Sequence, residues 1–452
     1  MALAGWTLFA FAGVYPWTTI PLVAGTLMLA AGDWRSIGRP PYRWLDGALI
    51  AWLTLAAAAL IPLPPAARLA ISPGAVAVDR ALWFNPSVDP LTGPARPLSM
   101  DPASTAGAFI LGLTFVLIFW SARAIIASHG FRETIRGIAW CGLALAAVAL
   151  FQHATAPKLL YGYWHPLAPN ATPFGPFVNR NDLATWLIMA IPAVVGYGVA
   201  RLKSRLRSGD GPVNLESAID ATAIWLAASV CLMLATAFVA VSRSGLIGAV
   251  VGLTSLMWLS RSRMSGSGWM WFGAIMLTLI TVATTYINWG VLESRLGETF
   301  ATGLGGRRAV WDQTWPMVSD FRLAGVGVGA YERVMAVYQV TPHAFYINHA
   351  HNEYLQLLAE GGLILAVPAI AACCAAGWRI ARSLRSDRTA VFWIRAGATG
   401  GMLAAMVQSV WETGLRIPAN AVLFAILVAI ALHDSGETYR KQRGAPRTMR
   451  SA

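Results

Sequence analysis

Charge is scarce in this sequence. Of its 452 residues only 12% are charged, and 21 acids stand against 34 bases, giving a formal net charge of +13. Soluble domains usually carry about 25% charged residues. Hydrophobic residues make up 56% of the chain. So few charges could not shield that much apolar surface from water, so lipid must be the solvent for much of the fold. The basic excess does not point to nucleic acid. Many Lys and Arg residues cluster in short loops between apolar runs, which is how cytoplasmic loops of membrane proteins look. Cysteine is sparse too: Cys141, Cys231, Cys373 and Cys374 lie in apolar segments without metal-ligand spacing and are expected to serve packing. The first residues hold neither a basic stretch nor a clear cleavage site, so no removable signal peptide is expected. Internal repeats, low-complexity tracts and soluble domains at either end are not evident.

A helix needs roughly 20 apolar residues to cross a bilayer. Residues 221–241 and 269–289 carry no charge, and 183–200 is equally uncharged around Pro192, which membrane helices tolerate. Further span cores lie at 49–61, 106–120, 138–151, 245–260, 362–378, 397–411 and 417–432. The first 31 residues hold two more, broken at Val14-Tyr15-Pro16-Trp17. The total is about twelve. One set of loops holds Arg35, Arg39 and Arg43; Arg123, Arg132 and Arg136; Arg201, Lys203, Arg205 and Arg207; Arg261 and Arg263; and Arg379, Arg382, Arg385 and Arg388. These alternate along the chain and read as cytoplasmic, as does the tail with Arg440, Lys441 and Arg443. The opposite face receives 63–105, 153–182, the tight turn Ser242-Arg243-Ser244, the large loop 290–350, and 412–416. Arg68, Arg80 and Arg322 fall in the long loops, where charge constrains orientation less. The expected fold is an all-α polytopic membrane domain over 1–432, with both termini cytoplasmic, a large outer loop before the tenth span, and a basic tail at 433–452.

Within that outer loop, residues 307–320 read as a short helix with Trp311 and Trp315 on one face, broken by Gly325, Gly327 and Gly329. The glycine spacing has no βαβ unit around it, so it reads as a turn rather than a dinucleotide loop. The outer face carries an unusual set of cations. Arg243 sits between two apolar runs with almost no loop to shelter it, so it either faces a polar cavity or snorkels to the headgroups. Arg180 precedes a span by a few residues and has the same two options. Arg307 and Arg308 form either a binding pair or a solvated one. His351, in His349-Ala350-His351-Asn352-Glu353-Tyr354-Leu355, lies at or just before the start of a membrane helix. The positive end of the helix dipole favours neutral imidazole there, which is the form a general base needs. A mere helix cap is the plainer option, and a His-x-His metal site lacks a third ligand of the right spacing nearby. No Walker motif supports ATP-driven transport, and there is no Asp-x-Asp pair of the kind metal- and nucleotide-sugar-dependent glycosyltransferases use. Arginines, a histidine and no metal suit an anionic leaving group, since the guanidinium fork binds phosphate unaided. On an outer face, where ATP and nucleotide sugars should be lacking, such a substrate is expected to be lipid-linked.

These pieces resemble the O-antigen ligase and polymerase superfamily of bacterial membrane enzymes. The likeness rests on Phe177-Val178-Asn179-Arg180-Asn181, Ser242-Arg243-Ser244-Gly245, Arg308 with Trp311, Gly325 to Tyr331, and His349 to Gly362, in that order over roughly residues 100–432. An early stretch, Ile61-Pro62-Leu63-Pro64 with Leu98-Ser99-Met100-Asp101-Pro102, is similar to members that assemble exopolysaccharides. The resemblance implies a GT-C-like, metal-independent glycosyltransferase of the bacterial inner membrane, without a cofactor, working on the periplasmic face. Its donor would be a glycan on undecaprenyl pyrophosphate, and its acceptor another glycan or a lipid. Arg180 and Arg243 would hold the pyrophosphate and His351 would deprotonate or orient the acceptor hydroxyl. Arg308, His349, Asn352 and Asn181 are the expected substrate-binding residues. Polymerisation is favoured over ligation to lipid A core, and a lipid-oligosaccharide flippase is the rival from another class.

Overall fold

The computed structural model describes residues 1–31, 37–82, 91–167, 171–207, 220–240, 242–264, 266, 270, 273, 304–340 and 347–433. Their regular structure is helical throughout, with only isolated bridges such as Leu63 opposite Arg96 in the loops. Helices α1 (Ala2–Phe9) and α2 (Pro16–Ala30) meet at a corner, followed by α3 (Arg43–Ala58). Two short helices, α4 (Pro65–Ile71) and α5 (Gly74–Leu82), occupy the early loop. Then come α6 (Pro102–His129), α7 (Arg132–Thr155), α8 (Arg180–Arg207), α9 (Ala221–Val239) and α10 (Arg243–Ser260). The late loop contains α11 (Leu304–Asp320) and α12 (Tyr331–Tyr338), and the chain ends with α13 (Glu353–Ser386), α14 (Val391–Gln408) and α15 (Pro418–Leu432). The expected span at 269–289 and the tail at 434–452 lie outside the described residues.

The helix starts follow local chemistry. Asp101 accepts from the Ser104 amide ahead of α6, Asp220 from Ala223 ahead of α9, and Ser242 from Gly245 ahead of α10. Each satisfies an amide that the first turn would leave unpaired. Among the described residues, α6, α7, α8, α9, α10 and α13 are long and apolar enough to cross a membrane, and α2 and α15 are shorter apolar helices. The chain is therefore an all-α membrane protein. Helix α8 lies at the centre, with 83% of its most apolar window buried inside the protein. It packs on α14, which also packs on α10. The contacts are close because they use glycine: a Cβ on Gly196 would come within 2.3 Å of the Trp393 carbonyl, and one on Gly397 within 2.3 Å of the Pro192 carbonyl. In lipid such backbone approach, rather than water exclusion, holds helices together. Of the cysteines, Cys141 is half-buried. Cys231, Cys373 and Cys374 are exposed on apolar helix surfaces, where lipid solvates them, so the packing role expected for all four fails for three.

The loops sort to two ends. At one end, Asp46 pairs with Arg123 at 2.8 Å, and the Tyr42 ring lies under the guanidinium of Arg123 while its hydroxyl donates to the Leu432 carbonyl at 3.0 Å. Arg395 joins Ala431 to Asp387, Arg263 donates to the Asp387 carbonyl, and Lys203 donates to the Arg263 carbonyl at 3.1 Å. Arg123, Lys203 and Arg263 belong to the basic loops. At the other end, Met100 donates its amide to Val326 at 2.8 Å, uniting the early and late loops. There Ala75, Val78, Val310, Met317, Phe321, Tyr331, Val334 and Leu355 share a second, smaller core. Unlike the lipid-embedded helices, this cap can gain from water exclusion, roughly 1.5–3 kcal/mol for each large side chain fully buried.

Candidate active site

Helix α13 is broken where it enters the apolar part of its sequence. Gly362 has φ +54° and ψ −159°, which interrupts the helix after its first nine residues. The chain from Arg322 to Gly327 fills the break. Val326 and Gly327 donate amides to the carbonyls of Ala359 and Glu360, while Leu363 and Ile364 donate to Arg322 and Leu323, all at 2.8–2.9 Å. Thus the backbone groups freed by the break are paired, as burial at membrane depth demands. The expected glycine turn is present, with Gly325, Gly327 and Gly329 all at positive φ. The segment 353–361 becomes a short outer piece of helix that carries Glu353, Gln356 and Glu360.

This outer piece is held by charge. Arg416, in the last outer turn, donates to Glu360 at 2.8 Å and to Glu353 at 3.2 Å. Gln356 donates to Glu360 at 3.1 Å. A second group surrounds Glu412, whose Oε1 accepts from Arg307 at 2.7 Å, Asn181 at 3.1 Å and Ser244 at 3.3 Å. Ser242 donates to Asn181 Oδ1 at 2.9 Å, and Gln408 donates to Ser244 at 3.2 Å. Burial pushes the Glu412 carboxyl above its ordinary range, although Arg307 pulls the other way. The Glu353 amide donates to the Ser409 carbonyl at 2.9 Å, so the two groups adjoin.

The two histidines adjoin these groups and differ in their partners. His349 faces Gln356, with Nδ1 at 3.3 Å from Nε2. Burial, then the charges of Arg416 and His351, lower its pKa to about 3. His351 has φ +50°, a left-handed conformation in which histidine is enriched but which still stores strain. Its Nδ1 is buried without a hydrogen-bond partner. Burial first, and Arg307 second, lower its pKa. The neutral imidazole expected from the sequence is therefore favoured, with burial and a nearby cation as the causes. Asn352 caps α13, its side chain accepting from the amides of Tyr354 and Leu355 at 3.0 Å.

With this arrangement in view, the comparison with known families is informative. Residues 228–370 match the O-antigen ligase family. The match supports the O-antigen ligase and polymerase superfamily that the motifs resemble, and with it a membrane protein of polysaccharide biosynthesis. No curated protein matches the chain. The stretch matching O-antigen ligase runs from α9 through the late loop and past the break in α13, so it contains Arg243, Arg308, His349, His351 and Asn352. Arg180, Asn181, Gln408, Glu412 and Arg416 lie outside it.

The expected residues gather unevenly. Asn181 bonds Glu412 directly, and Arg180 is the first residue of α8, beside it. Arg243 opens α10 between Ser242 and Ser244, both of which belong to the Glu412 group. Arg308 is exposed on α11, whereas its neighbour Arg307 reaches Glu412. Trp311 donates to the Ala350 carbonyl at 2.8 Å and so fixes the histidine segment, while Trp315 is exposed. Sequence reasoning missed Glu353, Glu360, Gln408, Glu412 and Arg416 as participants. Three acids and a cation at the outer ends of apolar helices were the available clue, because ionised groups there need partners.

Proposed function

We propose that the protein is a metal-independent glycosyltransferase of the bacterial inner membrane, moving a glycan from undecaprenyl pyrophosphate to an acceptor hydroxyl on the periplasmic face. The reading includes twelve spans, with the basic loops and both termini in the cytoplasm. The observation that carries it is His351 Nδ1: buried, unpartnered, kept neutral, and set in the family-matched segment beside cations. With the ring proton on Nε2, Nδ1 carries a free lone pair and can take the proton from an acceptor hydroxyl. The hydroxyl oxygen then attacks the anomeric carbon, the bond from that carbon to the pyrophosphate oxygen breaks, and the electron pair leaves with undecaprenyl pyrophosphate. Arg180 and Arg243 would receive that charge through bidentate hydrogen bonds, supplying the electrostatic stabilisation the leaving group needs. Arg308, His349, Asn181 and Asn352 complete the substrate-binding set in this reading: Asn352 fixes the start of α13, and Asn181 ties α8 to Glu412. Polymerisation is favoured because the early loop resembles that of exopolysaccharide-assembling members. A flippase would not need a neutral histidine held in a strained conformation.

The test is His351→Ala together with His351→Asn. Asparagine tolerates the left-handed backbone, so it preserves the fold without supplying a base. Both variants should accumulate in the membrane and lose polymer formation by roughly 10²–10⁴-fold. Near-normal polymer from either would remove the catalytic role. Purified wild-type protein should keep its activity in EDTA, and a need for divalent metal would revive the His-x-His alternative.

A further inference from the structure

Among the described residues, eight buried side-chain polar atoms are left without a hydrogen-bond partner. Three of them belong to the site: His351 Nδ1, Glu353 Oε1 and Gln408 Oε1. His351 and Glu353 flank Asn352, and the bond from the Glu353 amide to the Ser409 carbonyl brings residue 408 alongside. Gln408 is only 1% exposed. Its amide nitrogen is already committed to Ser244 at 3.2 Å, which leaves its oxygen facing no donor. Glu353 is likewise divided: Oε2 takes Arg416 at 3.2 Å, and Oε1 takes nothing.

With the His351 ring proton on Nε2, all three orphans are hydrogen-bond acceptors. Leaving a buried acceptor unmade costs on the order of 1–3 kcal/mol. A ligand that brings donors would recover that cost, and one that brings only acceptors would add to it. Pyrophosphate oxygens are acceptors and carry negative charge, so this spot beside the Glu353 carboxylate repels them. Sugar hydroxyls are the opposite: each O–H can donate.

We propose that Glu353 and Gln408, with His351, form the acceptor subsite, and that it recognises a sugar through at least two neighbouring hydroxyls, one donating to His351 and the other sharing its proton between Glu353 and Gln408 in a three-centre hydrogen bond. The inference rests on the glycosyl-transfer reading and adds a division of labour to it. Arginines on α8 and α10 take the donor's phosphates, while acceptor atoms at the start of α13 and the end of α14 take the hydroxyls of the incoming glycan. Holding the second hydroxyl orients the first toward His351, which turns a base into a regioselective one. An acceptor whose neighbouring hydroxyl is absent or methylated would then bind poorly.

The experiment separates donor from acceptor. Purified protein in nanodiscs is given the undecaprenyl-pyrophosphate-linked repeat unit as donor. The acceptor is the same repeat-unit glycan on a simple alkyl aglycone, which lacks pyrophosphate and can only accept. Glu353→Gln keeps side-chain volume and can keep an oxygen on Arg416 while presenting N–H2 to the sugar. Gln408→Met removes the orphaned oxygen without touching Arg416. Each should raise the acceptor KM about tenfold or more, the size expected for a lost bond in a buried site, with donor KM within about twofold. Removing the neighbouring hydroxyl from the acceptor should raise KM for the wild type and add little in either variant. Unchanged acceptor KM in both variants, or a rise confined to donor KM or to kcat, overturns the subsite while leaving the transfer reading intact. A wild-type protein that joins no glycan to the alkyl acceptor or to the lipid-linked repeat overturns the transfer reading itself.

Discussion

Arg307 pulls the pKa of two neighbours down, with burial at His351 and against it at Glu412. Its charge lowers the pKa of His351 and offsets part of what burial does to Glu412. Replacing it with glutamine removes a cation, so His351 becomes easier to protonate. Activity requires the neutral ring, so it is retained above the folded-state pKa and lost as pH falls through it. In Arg307→Gln the acid limb of the kcat/KM profile should therefore move to higher pH than in the wild type. A pH–rate profile of the purified variant checks this, and an unmoved limb would uncouple Arg307 from the base. The sequence exposed the pair Arg307-Arg308 but not which member turns inward. Adjacent helical residues point about 100° apart, and only the docking of α11 decides that Arg307 meets Glu412 while Arg308 faces outward. Glu412 was equally hidden, because its partner Arg307 lies 105 residues away along the chain and an acid beside a span has no periodicity to betray it. The histidine at the foot of a membrane helix was legible, because an ionisable residue next to a long apolar run stands out on composition alone.

At the scale of elements, the break in α13 governs the geometry. It turns 353–361 into a polar stub that Arg416 clamps, and the glycine turn locks it. Two glycines make the lock. A Cβ on Gly362 would lie 2.3 Å from the Leu323 carbonyl oxygen, and one on Gly325 would lie 2.3 Å from the Glu360 carbonyl oxygen. Both residues also have positive φ. Gly362→Ala should thus carry a backbone strain of about 1–3 kcal/mol, and the steric overlap should push the turn out of the break. Thermal unfolding of the purified variant in detergent should show a lowered Tm, and polymer formation should fall because Glu353 and Glu360 lose their placement. A variant with wild-type Tm and activity would mean that the turn does not set the site. From the sequence, the apolar run and the glycine-rich turn were both visible as separate features. Their union was not: Gly361-Gly362 inside a span reads equally well as small-residue helix packing, and the turn that fills the gap comes from a loop more than thirty residues earlier.

For the whole molecule, the two loop families separate as the alternation of Lys and Arg anticipates, with the paired arginines of α6, α14 and the 261–263 turn at one end and the cap of α4, α5, α11 and α12 at the other. Which end faces the cytoplasm is a matter for labelling. Ser319 and Ser386 are both exposed and lie at opposite ends, so each can be changed to cysteine in a background without the four native cysteines. An impermeant maleimide added to intact cells should label position 319 and spare 386. The reverse pattern would invert the topology and remove the case for a lipid-linked donor. The cap also bears on what the protein makes. Its early-loop stretch, the part that resembles exopolysaccharide members, donates the Met100 amide to Val326 in the turn that locks α13, so the feature that favours polymerisation touches the element that carries the site. A polymerase adds a growing lipid-linked chain to a lipid-linked repeat, and its loss leaves single repeats on undecaprenyl pyrophosphate. A ligase acts on finished chains, and its loss leaves long polymer on the same lipid. Lipid-linked glycans extracted from a deletion strain and sized should therefore be single repeat units. Long chains would make the protein a ligase, and unchanged pools of both kinds would deny it either reaction.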